Sequence, residues 1–138
     1  MLAELDPPRL DTERSVVKFH DDTVNLELNH REQADWTVWA DAGPGGAMVQ
    51  TVLFAHEHFE ESIGEDWPSE AVDFLRRVLC GQVVVEATLR GDEVLMVRRF
   101  VEDDDGTPLY SGWTAFLPIA RFFVWRRKRT EVVRPTFL

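Results

Sequence analysis

The sequence predicts an α+β protein that consists mostly of antiparallel sheet, with one main helix, at about residues 68–80, packed on one face of the sheet. Two observations support this fold class. Apolar and polar residues alternate in short runs along most of the chain, and Gly, Pro, Asn or Asp residues separate these runs. One stretch, Pro68–Cys80, repeats its apolar residues at helical spacing clearly enough to predict a helix. The expected order is four strands, the helix and three to five further strands.

The chain has 138 residues, which is long enough for one hydrophobic core. Residues 1–14 contain two prolines and no periodicity, which predicts a flexible N-terminal segment. Residues 15–138 are expected to form a single α+β domain. Cys80 is the only cysteine, so no internal disulfide can form. Because there is no signal peptide and no apolar run long enough to span a membrane, the sequence predicts a cytoplasmic protein without membrane association.

Four strands are expected before the helix, and turn residues separate them. The expected ranges are 16–19, 23–29, 35–40 and 48–54. The strongest turn signal is DAGPGG at residues 41–46, with three glycines and a proline. Trp36 and Trp39 point to opposite sides of the third strand, so at least one of these two indoles is expected at the surface.

The predicted helix has recognisable ends. Asp66 is a candidate N-cap residue, and Pro68 is accepted in a first helical turn. Arg76 and Arg77 lie near the C-terminal end, where the helix dipole favours cations. Gly81 can take the positive φ that commonly ends a helix. We expect the apolar side of the helix to lie across the strands that follow it.

Residues 82–102 predict a β-hairpin with a two-residue turn at Gly91-Asp92. Counting outward from the turn gives an apolar face with the cross-strand pairs Leu89–Val94, Ala87–Met96, Val85–Arg98 and Val83–Phe100. The opposite face mixes charged residues with four aliphatic residues, Val84, Leu95, Val97 and Val101. That mixed face is too apolar for a surface in water, so other strands, a second subunit or a partner must cover it.

The chain after the hairpin is less regular. A third strand of the same sheet is expected at residues 109–117, after an acidic turn. Residues 119–133 combine strand-forming residue types with some helical spacing, so periodicity does not decide between strand and helix. We favour a strand at 120–127, a turn at Lys128-Arg129 and a short return strand.

The charge distribution indicates a basic partner. The first 120 residues hold 9 basic and 24 acidic side chains, whereas residues 121–138 hold 6 basic and 1 acidic. The strongly acidic first 120 residues are expected to repel nucleic acid phosphates and to attract basic proteins. The predicted partner-binding surface combines acidic residues with one aromatic anchor: Glu57, Glu60, Glu61, Glu65, Asp66 and Trp67.

These observations favour a small acidic non-enzymatic protein-interaction domain, such as an inhibitor, an immunity protein or a chaperone-like protein. Its expected partner is another protein with a basic surface, and a homodimer is a further expectation. The sequence contains no nucleophile elbow and no phosphate-binding loop. Catalytic residues are therefore unassigned, and no cofactor is expected.

One alternative function is a metal-dependent enzyme or a metal-binding protein. His56 and His58 lie two residues apart, so an extended chain places both imidazoles on one side, where they could ligate a metal ion. The candidates for a third ligand are His20, His30, Glu60 and Glu61.

A second alternative is nucleic-acid binding through the basic C-terminal segment. Aromatic and basic residues alternate there in a way that suits stacking on bases and contact with phosphates. The residues that would take part are Trp125, Arg126, Arg127, Lys128 and Arg129. The acidity of the rest of the chain makes nucleic acid the less favoured partner.

Overall fold

The computed structural model describes residues 9–61, 66–116 and 127–138, and these residues form two antiparallel sheets and one α-helix. The predicted α+β class with mostly antiparallel sheet is therefore confirmed. Within these three ranges, no helix has the length and apolar character needed to cross a membrane.

The first sheet contains five strands in sequential order: β1 (Leu10–His20), β2 (Thr23–His30), β3 (Thr37–Gly43), β4 (Gly46–Gln50) and β5 (His56–Glu60). A short 3₁₀ turn, Val52–Phe54, lies between β4 and β5. The helix α1 spans Trp67–Leu79. The second sheet has the order β8-β7-β6-β9, with β6 (Val83–Arg90), β7 (Glu93–Glu102), β8 (Pro108–Ala115) and β9 (Lys128–Val133).

Four strand predictions need correction. The fourth strand was expected at 48–54, but β4 ends at Gln50 and Val52–Phe54 form the 3₁₀ turn. Strand β1 begins at Leu10, whereas the sequence predicted the first strand from residue 16. Strand β5 was not predicted, because its sequence HEHFE contains only one apolar residue. Lys128 and Arg129, expected to form a turn, are the first residues of β9 and pair with Arg90 and Leu89 of β6. Of the strand expected at 120–127, all but residue 127 lies outside the described residues.

A β-bulge changes the register of the β6–β7 hairpin. Next to the turn, Leu89 pairs with Val94, as predicted. Leu95 is then an extra residue, so that Val85 pairs with Arg99 instead of the predicted Arg98. A one-residue shift turns every later side chain of the strand to the other face of the sheet.

The bulge explains the aliphatic residues of the predicted mixed face. Val97 and Val101 pair with Ala87 and Val83, and all four are buried in the core. Leu95 is fully buried at the bulge itself. The predicted register beyond the turn was therefore wrong, and three of the four aliphatic residues of the mixed face, Leu95, Val97 and Val101, are buried in the protein interior.

The two sheets and the helix share one hydrophobic core. The strands nearest to α1 are β4 and β5, whereas we expected the helix to lie across the β6–β7 hairpin. Phe74 of α1 packs against Phe59 of β5, with 5.8 Å between the ring centroids. At the other end of the helix, the buried Phe137 donates its backbone N–H to the carbonyl of Leu79, at 2.9 Å.

Candidate functional site

An ion pair between Glu57 and Arg99 joins the two sheets at the edge of the core. Glu57 lies on β5, two residues before the buried Phe59, and therefore points to the same inner side of the strand. Its Oε2 atom accepts a hydrogen bond of 3.1 Å from Nε of Arg99. Only 18 % and 17 % of the two side chains are exposed. Removing one partner of a mostly buried ion pair leaves the other charge unpaired, which lowers the stability of the fold.

The bulge in β7 brings Arg99 to this position. Because of the register shift, Arg99 lies opposite Val85, on the face of the second sheet that is buried in the core. On its other side, Arg99 pairs with Gly112 of β8, and its guanidinium lies over that glycine. A Cβ atom at residue 112 would come within 2.7 Å of the guanidinium. Any residue other than glycine at this position would therefore displace the side chain of Arg99.

Tyr110 adds a phenol to the same cluster. It lies on β8 opposite Val101, and its hydroxyl donates a long hydrogen bond of 3.5 Å to Oε2 of Glu57. Burial of the phenol, together with the negative charge of Glu57, raises the pKa of Tyr110 to about 12. The hydroxyl therefore keeps its proton at neutral pH and stays a hydrogen-bond donor.

Beside this cluster lies a cleft of about 530 Å³, which we call the acidic cleft. It is formed by β5, the first turns of α1 and β8. Its lining residues are Glu57, Phe59, Asp66, Ser69, Glu70, Asp73 and Tyr110. Four of these seven side chains are carboxylates, so the cleft concentrates negative charge at the start of the helix.

The four carboxylates of the acidic cleft differ in how they are neutralised. Glu57 is bound by Arg99, and Asp73 accepts hydrogen bonds from Arg77 at 2.8 Å and from Arg76 at 3.1 Å. The hydrogen bond from Arg77, followed by that from Arg76, holds the pKa of Asp73 below its usual value. Asp66 and Glu70 take part in no ion pair among the described parts of the chain.

Asp66 occupies the predicted N-cap position of α1. It directly precedes α1, but its side chain makes no capping hydrogen bond. Glu70 lies in the first turn of the helix, where the dipole favours a negative charge. Both carboxylates are exposed, and both face the acidic cleft.

Comparison of the chain with protein-family models, with curated proteins and with solved structures finds no significant match in any of the three. A functional conclusion therefore depends on the geometry and charge of this site.

The predicted partner-binding surface is divided between different places. Glu57 and Asp66 line the acidic cleft, whereas Glu60 lies on the opposite face of β5, because alternate residues of a strand point to opposite sides. Glu61 follows the strand and is exposed, and Trp67 packs against the hydrophobic core. Glu65 lies outside the described residues.

The predicted partner-binding residues do not include six residues of the site: Ser69, Glu70, Asp73, Phe59, Arg99 and Tyr110. The first three could have been found, because positions 66, 69, 70 and 73 are spaced to share one flank of a helix. Arg99 and Tyr110 carry no comparable signal, since their positions depend on the bulge and on the pairing of distant strands.

His56 and His58 lie on the outer face of the first sheet, as alternation predicts. Their rings meet edge to face, with 5.1 Å between centroids, and Nδ1 of His56 lies 3.0 Å from the carbonyl oxygen of Phe54. Glu60 shares this face. Across the ranges that the structure describes, no group of three or more His, Cys, Asp or Glu side chains is placed to hold a metal ion.

The other two histidines lie away from this pair. His20 is at the far edge of the five-stranded sheet, four strand spacings or roughly 19 Å from β5. His30 is 3 % exposed, and its Nδ1 accepts hydrogen bonds of 3.0 Å from the backbone N–H groups of Glu32 and Gln33. Metal binding through His56 and His58 stays a prediction, without His20 or His30 as a third ligand.

The basic C-terminal segment is only partly described. Trp125 and Arg126 lie outside the described residues, while Arg127, Lys128 and Arg129 are exposed at the start of β9. Arg129 forms an ion pair with Glu131, at 3.4 Å. Nucleic-acid binding through this segment therefore stays a prediction.

Proposed function

We propose that this protein is a non-enzymatic interaction domain, of the inhibitor, immunity or chaperone-like kind, which binds a basic protein by accepting an arginine or lysine side chain in the acidic cleft. The observation that carries this proposal is the pair of carboxylates of Asp66 and Glu70. Neither has an ion-pair partner among the described residues, and both line a cleft of about 530 Å³.

The cleft has the chemistry that a cationic side chain requires. A guanidinium or ammonium group pairs with carboxylates through charge-assisted hydrogen bonds, which are the stronger ones in proteins. Glu57 and Asp73 already have arginine partners, so an incoming cation meets the two unpaired carboxylates first. The ring of Tyr110 lines the same cleft and offers an aromatic surface for a cation–π contact.

The charge of the whole chain supports the same partner. At a net charge of −10, the protein attracts a basic surface over a distance of about a Debye length, roughly 8 Å at physiological salt. This attraction speeds encounter, and contacts within the cleft then decide how long the complex lasts.

The test compares an arginine-rich synthetic peptide with the same peptide carrying citrulline, which keeps the shape of arginine without its charge. We expect the arginine peptide to bind and the citrulline peptide to bind at least tenfold more weakly. Replacing Asp66→Asn and Glu70→Gln together should weaken arginine-peptide binding by about tenfold or more, because charge-assisted hydrogen bonds are lost. Titration calorimetry at low and high salt measures both effects.

A matched control removes two negative charges elsewhere. Asp92→Asn with Asp105→Asn changes the net charge equally, at exposed turns of the second sheet. This double variant should bind the arginine peptide within about twofold of the original protein. Equal losses in the two double variants, or equal binding of the citrulline peptide, would contradict the proposed cleft.

A further inference from the structure

The inner face of the first sheet is mostly apolar, with Glu57 on β5 as a charged residue. One row of directly paired residues crosses all five strands: Phe19, Val24, Ala42, Ala47 and Phe59. Phe59, under the helix, is 6 % exposed, whereas Phe19, at the opposite edge, is 78 % exposed. In the neighbouring row, exposure falls from 52 % at Val17 to 2 % at Val49. The apolar face thus continues well beyond the part that the core covers.

The size of the helix explains why this part stays open. A sheet of five strands is roughly 24 Å wide, whereas a helix with its side chains is about 10 Å wide. Because α1 lies nearest to β4 and β5, no other described part of the chain covers the inner face of β1 and β2 at the end that holds Phe19 and Val24. At the other end of the same strands, Leu28 and His30 are buried.

Between α1 and the open part of this face lies a second groove, of about 260 Å³, which we call the apolar groove. Small residues on both sides, Ala42 and Ala47 from the sheet and Ala71 from the helix, leave the space empty. Among the described residues that line it, only Asp41 is polar. At its rim, Val72 of α1 is 67 % exposed. A continuous exposed apolar surface of this kind marks an interaction site.

The outer face of β1 and β2 is mostly polar, with Val16, 41 % exposed, as an apolar residue on β1, so the apolar inner face is not a general property of these strands. The outer row at the same level contains Lys18, Asn25, Asp41, Met48 and His58. Asn25 and Asp41 are hydrogen-bonded to each other across two strands. Strands with one solvated face place apolar residues on the face that something covers.

We infer that the apolar groove holds apolar side chains of an amphipathic, positively charged segment of the partner protein, whose basic residues enter the acidic cleft. The positive charge of this segment rests on the proposed function. Val72 and Leu75 of α1 face the apolar groove, whereas Ser69, Glu70 and Asp73 face the acidic cleft. A segment laid over the exposed side of α1 therefore reaches both.

Charge selects this occupant over two others. A second copy of this chain would bring another ten negative charges, and an anionic lipid would also be repelled. The open end of the face is bordered by Asp21 and Asp22, which are exposed in the turn between β1 and β2. A cationic amphipathic segment can cover the apolar surface with its apolar side chains and pair its basic side chains with these carboxylates.

The test uses three synthetic amphipathic peptides of equal length: one of Leu and Lys, one with Ser in place of Leu, and one with Glu in place of Lys. We expect the Leu/Lys peptide to bind at least tenfold more tightly than either of the others. Val72→Gln should weaken its binding by about tenfold, because an apolar contact is replaced by a polar group. Val132→Gln is the matched control, since Val132 is 64 % exposed on the second sheet, and it should leave binding unchanged.

A second variant, Ala42→Leu, fills the groove from the sheet side and should also weaken Leu/Lys binding, with circular dichroism used to verify the fold. Equal binding of the Ser/Lys or Leu/Glu peptide, or an unchanged affinity in Val72→Gln, would overturn the inference. So would a stable dimer that Val72→Gln dissociates in sedimentation experiments. If Val72→Gln leaves peptide binding unchanged while the Asp66/Glu70 double variant weakens it, the result contradicts the apolar groove but not the acidic cleft. If only Val72→Gln weakens peptide binding, the result contradicts the acidic cleft but not the apolar groove.

Discussion

The charge of Glu57 influences the protonation of Tyr110 at the edge of the core. The phenol lies against the carboxylate, and the carboxylate is already paired with Arg99. Ionising Tyr110 would place a second negative charge beside Glu57 in a partly buried place, so the neutral phenol is favoured. At this scale, position within the cluster raises the pH at which the hydroxyl ionises.

This gives a prediction that a single chromophore reports, because Tyr110 is the only tyrosine in the chain. The near-ultraviolet absorbance of tyrosinate should titrate with a pKa of about 12. Glu57→Gln should lower this value, because the carboxylate charge is gone, but burial should keep it above the usual 10 or so. A value near 10 in the unaltered protein would contradict the arrangement at Glu57.

The raised pKa also fixes the sign of a stability change. The preference for the neutral phenol stabilises the fold below the unfolded pKa of about 10, and this contribution is lost as the pH rises through about 12. Tyr110→Phe should remove that alkaline loss, as measured by urea unfolding at increasing pH.

At the scale of elements, the bulge in β7 links the core to the candidate site. One extra residue, Leu95, turns Val97 and Val101 into the core and places Arg99 where it meets Glu57. Without the shift, Arg99 would point to the other face of the second sheet. The acidic cleft therefore depends on a hairpin irregularity far from it in sequence.

The register can be tested by truncation. Val97→Ala should lower the free energy of unfolding by about 2 kcal/mol, because two buried methyl groups are removed from a site that is 2 % exposed. Val132→Ala, at a site that is 64 % exposed, should change it by less than about 0.5 kcal/mol. Urea denaturation measures both. A negligible cost at Val97 would favour the regular register, in which that residue is outside the core.

For the whole molecule, ion pairs connect segments that are distant in sequence. Arg134, after β9, binds both carboxylate oxygens of Glu102 at the end of β7, at 2.7 and 3.1 Å, and also donates to the carbonyl of Gly81. These contacts hold the C-terminal segment against the end of the helix, where Phe137 closes the core. Acidic residues thus serve the fold as well as the surface charge.

The hydrogen bonds from Arg134 hold the pKa of Glu102 below its usual range. The ionised carboxylate is therefore favoured in the native state, which adds stability above the unfolded pKa of about 4.5 that is lost as the pH falls through the lowered native value. Glu102→Gln should lower the urea midpoint at neutral pH, and the difference from the unaltered protein should vanish in acid. Glu32→Gln, at an exposed turn, should show no such difference. A difference in urea midpoint between Glu102→Gln and the unaltered protein that persists or grows in acid would contradict this pH dependence.

Several local features were predictable because they depend on neighbouring residues. The limits of α1 agree with the predicted helix to within one residue at each end. Gly81 and Gly91 both take the positive φ expected of them, at 77° and 61°. Of the two indoles on opposite sides of the third strand, Trp39 is 42 % exposed, as alternation required for at least one of them. Turn chemistry and short-range periodicity are properties of the chain itself.

The sequence by itself thus determined the α+β class, the helix, most turns and the acidity of the surface. The tertiary structure alone decided the register of β7, the existence of β5 and the meeting of Glu57, Arg99 and Tyr110. The physical reason is that these features depend on contacts between residues far apart in the sequence. A bulge is favoured when it lets side chains of its strand be buried against another sheet. A site between two sheets is formed by residues more than forty positions apart in the chain.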